Sequence, residues 1–156
     1  MKSIAAIMLL LTFVSPATVL AADNDQADIE REVMKVLDEF MVAFNALDVD
    51  AHVATYHFPH YRLARGTMSF WETEQAALQA NTAAFKSLPD TGWNRSVWIH
   101  RRIVTASDTK VHVDTRFRRL REDGSEIGTY DSLYILIKRG GTWGIKMRSS
   151  FLPQML

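Results

Sequence analysis

Cysteine is absent from all 156 residues, which excludes disulfide staples, thiol catalysis, and thiolate-held zinc or iron–sulfur centres. Neither sign of charge is in excess, with 18 Lys+Arg against 18 Asp+Glu. A nucleic-acid footprint needs a basic surplus on one face, so nucleic acid is not an expected partner. The one basic run, Arg116-Phe117-Arg118-Arg119-Leu120-Arg121, has Asp114, Glu122, Asp123 and Glu126 around it and reads as a solvated hairpin. Glycine (7) and proline (4) are sparse, and no linker, repeat or low-complexity tract interrupts the chain.

No apolar run reaches the ~20 residues that a membrane-spanning helix needs. A shorter one is present. Lys2 precedes an apolar stretch from Ile4 to Val14, Ser15-Pro16 breaks it, and Val19-Leu20-Ala21 places small residues where a signal peptidase cuts. Residues 1–21 therefore read as a cleavable leader, with cleavage after Ala22 nearly as good. Residues 22–156 remain, a length that buries a core without staples. The expected location is the periplasm or the exterior, with no membrane partner after cleavage.

Behind the leader, Ile29, Val33, Leu37, Phe40, Phe44 and Leu47 recur at three- and four-residue spacing, the stripe of an amphipathic helix. Asp48 and Asp50 suit the start of a short second helix through Val53 and Tyr56, ended by Pro59. Arg65-Gly66 reads as a tight turn into Met68 and Phe70. Ser69 with Glu72 has capping-box spacing and opens a third helix through Ala76, Ala77, Ala80, Ala84 and Phe85. Strand-like segments follow from Trp93 to Phe151, divided at Ser107-Asp108, Asp123-Gly124 and Gly140-Gly141. Three helices followed by an antiparallel meander make an α+β domain.

This order, with the closing run Tyr134-Ile135-Leu136-Ile137-Lys138-Arg139-Gly140-Gly141-Thr142-Trp143-Gly144-Ile145, resembles the nuclear-transport-factor-2-like superfamily. Within it, the chain is similar to exported bacterial polyketide-cyclase-like (SnoaL-like) members, and the resemblance covers residues 22–156. It implies a cone-shaped fold, three N-terminal helices packed on a curved, mainly antiparallel sheet. It also implies a concave pocket for a small molecule and no cofactor. Functions in that superfamily range over isomerases, hydrolases, dehydratases, cyclases and non-enzymes, so fold does not fix activity.

Two-residue turns at Asp123-Gly124 and Gly140-Gly141 set the strand faces. They place Val111, Val113, Phe117, Tyr130, Tyr134, Leu136, Ile145, Met147 and Phe151 on the face that the helices cover. Thr115, Ser132 and Ser149 form a polar row inside it. A two-residue turn at Ser107-Asp108 adds His100 to that row; a three-residue turn substitutes Arg101. Such a row lines a pocket or is an internally satisfied part of the core. The opposite face collects His112, Asp114, Arg116, Arg118, Asp131, Lys146 and Arg148, where Arg116 opposite Asp131 suggests a cross-strand ion pair. Leu133, Ile135 and Ile137 on that face, with the resemblance, suggest a homodimer.

Tyr56-His57-Phe58-Pro59-His60-Tyr61-Arg62 is the most unusual stretch by composition. Its spacing supplies no third ligand for an ion, so no metal is expected. Histidine titrates near neutrality, and the resemblance puts this connection at the pocket rim. The candidate catalytic residues are thus His100 and His60, if the protein is an enzyme. The candidate ligand-binding residues are Tyr56, Trp71, Thr115, Tyr130, Ser132, Tyr134 and Ser149. The leading expectation is an exported small-molecule-binding domain. The alternative is a cofactor-independent enzyme of isomerase, dehydratase, hydrolase or cyclase type.

Overall fold

The computed structural model describes residues 16–153, with side chains from Asp25 onward; residues 1–15 of the expected leader lie outside the described residues. Helix α1 is described from Pro16 and runs to Asn45, followed by α2 (Val49–Ala54). Strands β1 (Tyr56–Ala64) and β2 (Thr67–Trp71) precede α3 (Glu74–Ser87). After a 3-10 turn at Pro89–Thr91 come β3 (Arg95–Ala106), β4 (Lys110–Leu120), β5 (Glu126–Arg139) and β6 (Thr142–Ser150). The six strands form one sheet in the order β2-β1-β6-β5-β4-β3. All neighbours are antiparallel except β1 and β6.

The α1 stripe does what its spacing requires. Val33, Leu37 and Phe40 are buried against Val111, Val113, Leu136 and Ile145 of the sheet. Each such side chain contributes ~1.5–3 kcal/mol by leaving water. Asp48 caps α2 by accepting the Ala51 amide at 2.9 Å. The helix stops at Ala54, short of the expected Tyr56, and the chain turns directly into β1. Pro59 lies within that strand, in the stretch where the β1–β6 register breaks and β2 pairing has not begun. No ladder needs its missing amide there. The third helix begins later than Ser69 suggests. Ser69 lies in β2, and Thr73 caps α3 by accepting the Ala76 amide at 3.3 Å.

The β4–β5 pairs are those expected, Phe117 with Tyr130, Thr115 with Ser132 and Val113 with Tyr134. The loop nevertheless spans three residues, with the Arg121 amide bonding the Ser125 carbonyl at 2.9 Å, and a shift between Arg119 and Leu120 restores the register. The β5–β6 register follows its turn as far as Leu136↔Ile145, then shifts by one, so Ile135 pairs with Met147, Tyr134 with Arg148 and Ser132 with Ser150. This bulge inserts one residue and reverses the facing of everything after it. Arg148 becomes buried where the outer face was expected. Ser149 moves to the outer register beside Leu133, and Phe151 is 77% exposed. Between β3 and β4 the chain reverses at Asp108-Thr109, one residue later than expected, with the Ser107 amide bonding the Lys110 carbonyl at 2.8 Å. A bulge between Ile103 and Thr105 then shifts the register by one residue, so that Arg101, not His100, pairs with Thr115.

Candidate functional site

Between α1, α2, α3 and the inner sheet face lies a cavity of about 540 Å³, within the range of small-molecule sites. Six aromatic rings line it: Phe40, Phe44, Phe85, Trp98, Phe117 and Tyr134. Phe40 and Phe44 come from α1 and Phe85 from α3. Leu88 and Leu152 add aliphatic wall, and Asn81, Ser96 and Ser150 add hydrogen-bonding groups.

Four arginines also line this cavity: Arg62 on β1, Arg65 at the β1–β2 turn, Arg119 on β4 and Arg148 on β6. Among the described residues, none of its lining is Asp or Glu. Arg62 and Arg148 are direct partners across the parallel β1–β6 pair. Arg148 is only 7% exposed, donates to the Tyr56 hydroxyl at 2.9 Å, and stacks on the Phe40 and Tyr56 rings at 5.1 and 5.5 Å. Arg119 lies over the Phe44, Phe117 and Tyr130 rings at 5.8 to 6.0 Å. The Nε atom of each of the four is buried and bonds nothing among the described residues. Arg148 beside it, together with burial, draws the Arg62 pKa down to about 10.

The cavity also holds an imidazole. His52 is fully buried on α2, and its Nδ1–H donates to the Phe40 carbonyl at 3.3 Å. Burial, reinforced by Arg148, holds its pKa well below the usual histidine value. It is therefore neutral, and its Nε2 lone pair has no described partner.

Family comparison fits this architecture. A model described as NTF2-like protein (DUF6841) matches residues 30–149. The chain belongs to that family. No curated protein matches it in sequence. An NTF2-like protein with a cystatin-like fold from Novosphingobium aromaticivorans superposes with a TM-score of 0.72 at 12% identity, covering 86% of this chain and 88% of that one. A ketosteroid isomerase-like protein from Erwinia carotovora atroseptica gives 0.62 at 16% identity, covering 78% and 93%. A protein from Catenulispora acidiphila, solved in complex with S-DNPA, gives 0.66 at 16% identity, covering 80% and 93%. These likenesses are of fold.

Of the residues expected from sequence to line a pocket in this NTF2-like chain, Tyr134 does so. His100 does not. It is on the outer face, its Nε2 3.2 Å from Asp114, because the bulge at Val104 in β3 turns Arg101 inward to Asp38 at 2.6 Å. His60 is buried outside the cavity lining. Its Nδ1–H donates to the Ile145 carbonyl at 2.8 Å, and its ring is stacked between Tyr56 and Trp71 at 3.9 and 5.6 Å. Burial, with Arg148 nearby, lowers its pKa to about 3.

Tyr56 and Trp71 complete that stack behind Arg148 and do not line the cavity. The Thr115 hydroxyl is consumed by the Ser132 carbonyl at 3.1 Å, and the Ser132 hydroxyl by Ser150 at 2.8 Å. That row is satisfied internally. Tyr130 packs beside Phe117 outside the lining, and Ser149 is turned out by the β6 bulge. His57 bonds the Thr142 carbonyl at 2.9 Å over Gly144, where a Cβ would approach its ring to 2.7 Å. Among the described residues no group of three His, Asp or Glu side chains is arranged to hold a metal.

Sequence reading missed the arginines. A signal for Arg119 existed: the inward alternation Val111, Val113, Thr115, Phe117 continues to it. Its position in a basic run concealed it. Arg148 carried no such signal, since only the bulge turns it inward.

Proposed function

We propose that this domain binds a small, partly apolar molecule in the cavity between its helices and sheet. The observation that carries this reading is the cavity itself, about 540 Å³ with six aromatic rings in its wall. Packed interiors normally hold few voids larger than a water molecule. Neighbouring folds include a ketosteroid isomerase-like protein and one solved in complex with S-DNPA, which agrees with a cavity that takes ligands. Binding is preferred over His-based proton transfer because neither His100 nor His60 reaches the cavity, and His52, which does, is held well below the ordinary histidine pKa and is a weak base near neutral pH.

The leader at residues 1–21 supports action in the periplasm or outside the cell, checked by N-terminal sequencing of the processed chain. The outer sheet face, with Leu133 and Ile135 only half-buried and Phe151 exposed, supports a homodimer. Light scattering showing only monomer would remove that part.

The test of the binding reading uses two fluorescent probes sharing one aromatic body, 8-anilinonaphthalene-1-sulfonate and N-phenyl-1-naphthylamine. At least one should bind saturably at one per chain. Ala84→Trp, which adds an indole to the cavity wall from α3, should abolish that uptake while leaving the circular dichroism spectrum unchanged. Uptake of neither probe, or undiminished uptake by the Trp variant, rejects the reading.

A further inference from the structure

Burying a guanidinium without a counter-charge is among the least favourable arrangements a fold can hold. Here Arg148 is buried in this way, and three partly buried arginines, Arg62, Arg65 and Arg119, join it around the same cavity. Like charges directly opposite each other in a sheet destabilise the pairing, yet Arg62 and Arg148 are direct partners on β1 and β6. Elsewhere this chain avoids the problem: Arg101, also turned inward but outside the cavity lining, reaches Asp38 at 2.6 Å. No described carboxylate lies within 4.0 Å of Arg62, Arg65, Arg119 or Arg148.

The turn between β1 and β2 adds a second, independent sign. Arg65 and Gly66 both have positive φ, 56° and 75°, the backbone of a type I′ hairpin turn. That turn favours Asn or Gly at its first central position. An arginine is held there against local preference, and its side chain lines the cavity. Arg148 is more than nine-tenths buried with its Nε unpartnered, so the deepest of the four retains unused donor capacity.

We infer that the ligand is an organic anion: an apolar body, held among the aromatic rings, that carries an oxyanion received by Arg62 and Arg148, with Arg119 and Arg65 nearer its edge. The inference rests on the cavity being the ligand site. Arginine suits this role because its planar fork meets a carboxylate or other oxyanion through two parallel hydrogen bonds. The ring-lined wall selects the apolar body, and a bound anion relieves the repulsion between the two paired arginines. The neutral His52 also lines the cavity, its Nε2 without a partner among the described residues.

The two probes named above differ by a sulfonate, so their ratio isolates the charge. Wild-type protein should bind 8-anilinonaphthalene-1-sulfonate at least tenfold more tightly than N-phenyl-1-naphthylamine. In the Arg62→Gln/Arg148→Gln double variant that preference should fall below threefold. The ligand-free melting temperature of the double variant should rise, because a repulsive pair is gone. Equal binding of both probes by the wild type overturns the anion inference while leaving the cavity reading intact; binding of neither rejects both. A preference that survives in the double variant also overturns it. Should the double variant fail to fold, Arg119→Gln takes its place, since the Arg119 side chain bonds no described residue. An undiminished preference there likewise overturns the assignment.

Discussion

On the outer face of the sheet, Arg102 reaches Asp114 at 3.1 Å, Arg116 reaches Asp131 at 3.6 Å and Arg118 reaches Glu126 at 3.0 Å. Around the inner cavity, Arg62, Arg65, Arg119 and Arg148 line one wall without a carboxylate. The same residue type is thus neutralised where water would have screened it anyway, and left bare where Arg148 is buried and the other three are partly so. Exposed pairs are worth little, ~0–1 kcal/mol, whereas a bare buried charge costs several. Stability cannot explain a pattern that places the counter-charges where they matter least. A ligand that brings its own negative charge explains it.

The ionisable groups of the interior give the largest expected departure between the two faces. His60 is fully buried with a pKa near 3, and His52 is also held well below the ordinary value. Above pH ~6.5, the usual histidine value, both are neutral folded and unfolded, and no proton is linked to folding. As pH falls below that value, the unfolded chain takes up a proton that the folded His60 refuses until about pH 3. Stability therefore declines across that window by about 1.4 kcal/mol per pH unit for each such histidine. Urea unfolding between pH 6 and 4 should show this slope, and His60→Asn should remove about one proton from it. An unchanged slope in that variant would mean that His60 is not the group resisting protonation.

How much of this was readable beforehand depends on the strand. On β4 and β5 the alternation of Val111, Val113, Thr115 and Phe117 set the inner face correctly, and Tyr134 with it, the shift at Arg119 and Leu120 offsetting a loop one residue longer than expected. On β6 the alternation is just as regular through Ile145 and then passes over a bulge that no residue announces. Lys146 is neither Gly nor Pro, and one inserted residue exchanges Met147 and Ser149 for Arg148 and Ser150. The β3 facing turned on a second bulge, at Val104, which no residue announces and which sent His100 out. The parallel pairing of β1 with β6 joins residues 86 to 89 positions apart, beyond any local pattern. The fold was legible because periodicity is local. The site was hidden because it is made at register shifts and by a crossover.

A smaller effect is expected at the β1–β2 turn. Arg65→Asn places a residue suited to left-handed backbone at φ 56° and should stabilise the hairpin by roughly 0.5–1 kcal/mol. The same change removes a cation from the cavity wall, so 8-anilinonaphthalene-1-sulfonate should bind more weakly. Stability and binding moving in opposite directions is the signature of a residue kept for its ligand. If both fall together in calorimetry and titration, Arg65 serves the turn and not the cavity.

The smallest effect sharpens the comparison most, because it asks whether an outer arginine is as dispensable as its surroundings imply. Arg116 and Asp131 lie across β4 and β5, 3.6 Å apart, each about half exposed. Water screens the pair, and holding two long side chains in one geometry offsets what attraction remains. Arg116→Gln should thus change the unfolding free energy by less than about 0.5 kcal/mol and leave probe binding where it was. The register that carries the pair is fixed by the buried residues on either side, Thr115 and Phe117 against Ser132 and Tyr130, so loss of one outer charge gives the strand no reason to slip. A loss of 2 kcal/mol or more would show that the outer face depends on its ion pairs, as a face enclosed by a second subunit would. The contrast between the two sets of arginines would then be one between two kinds of buried surface.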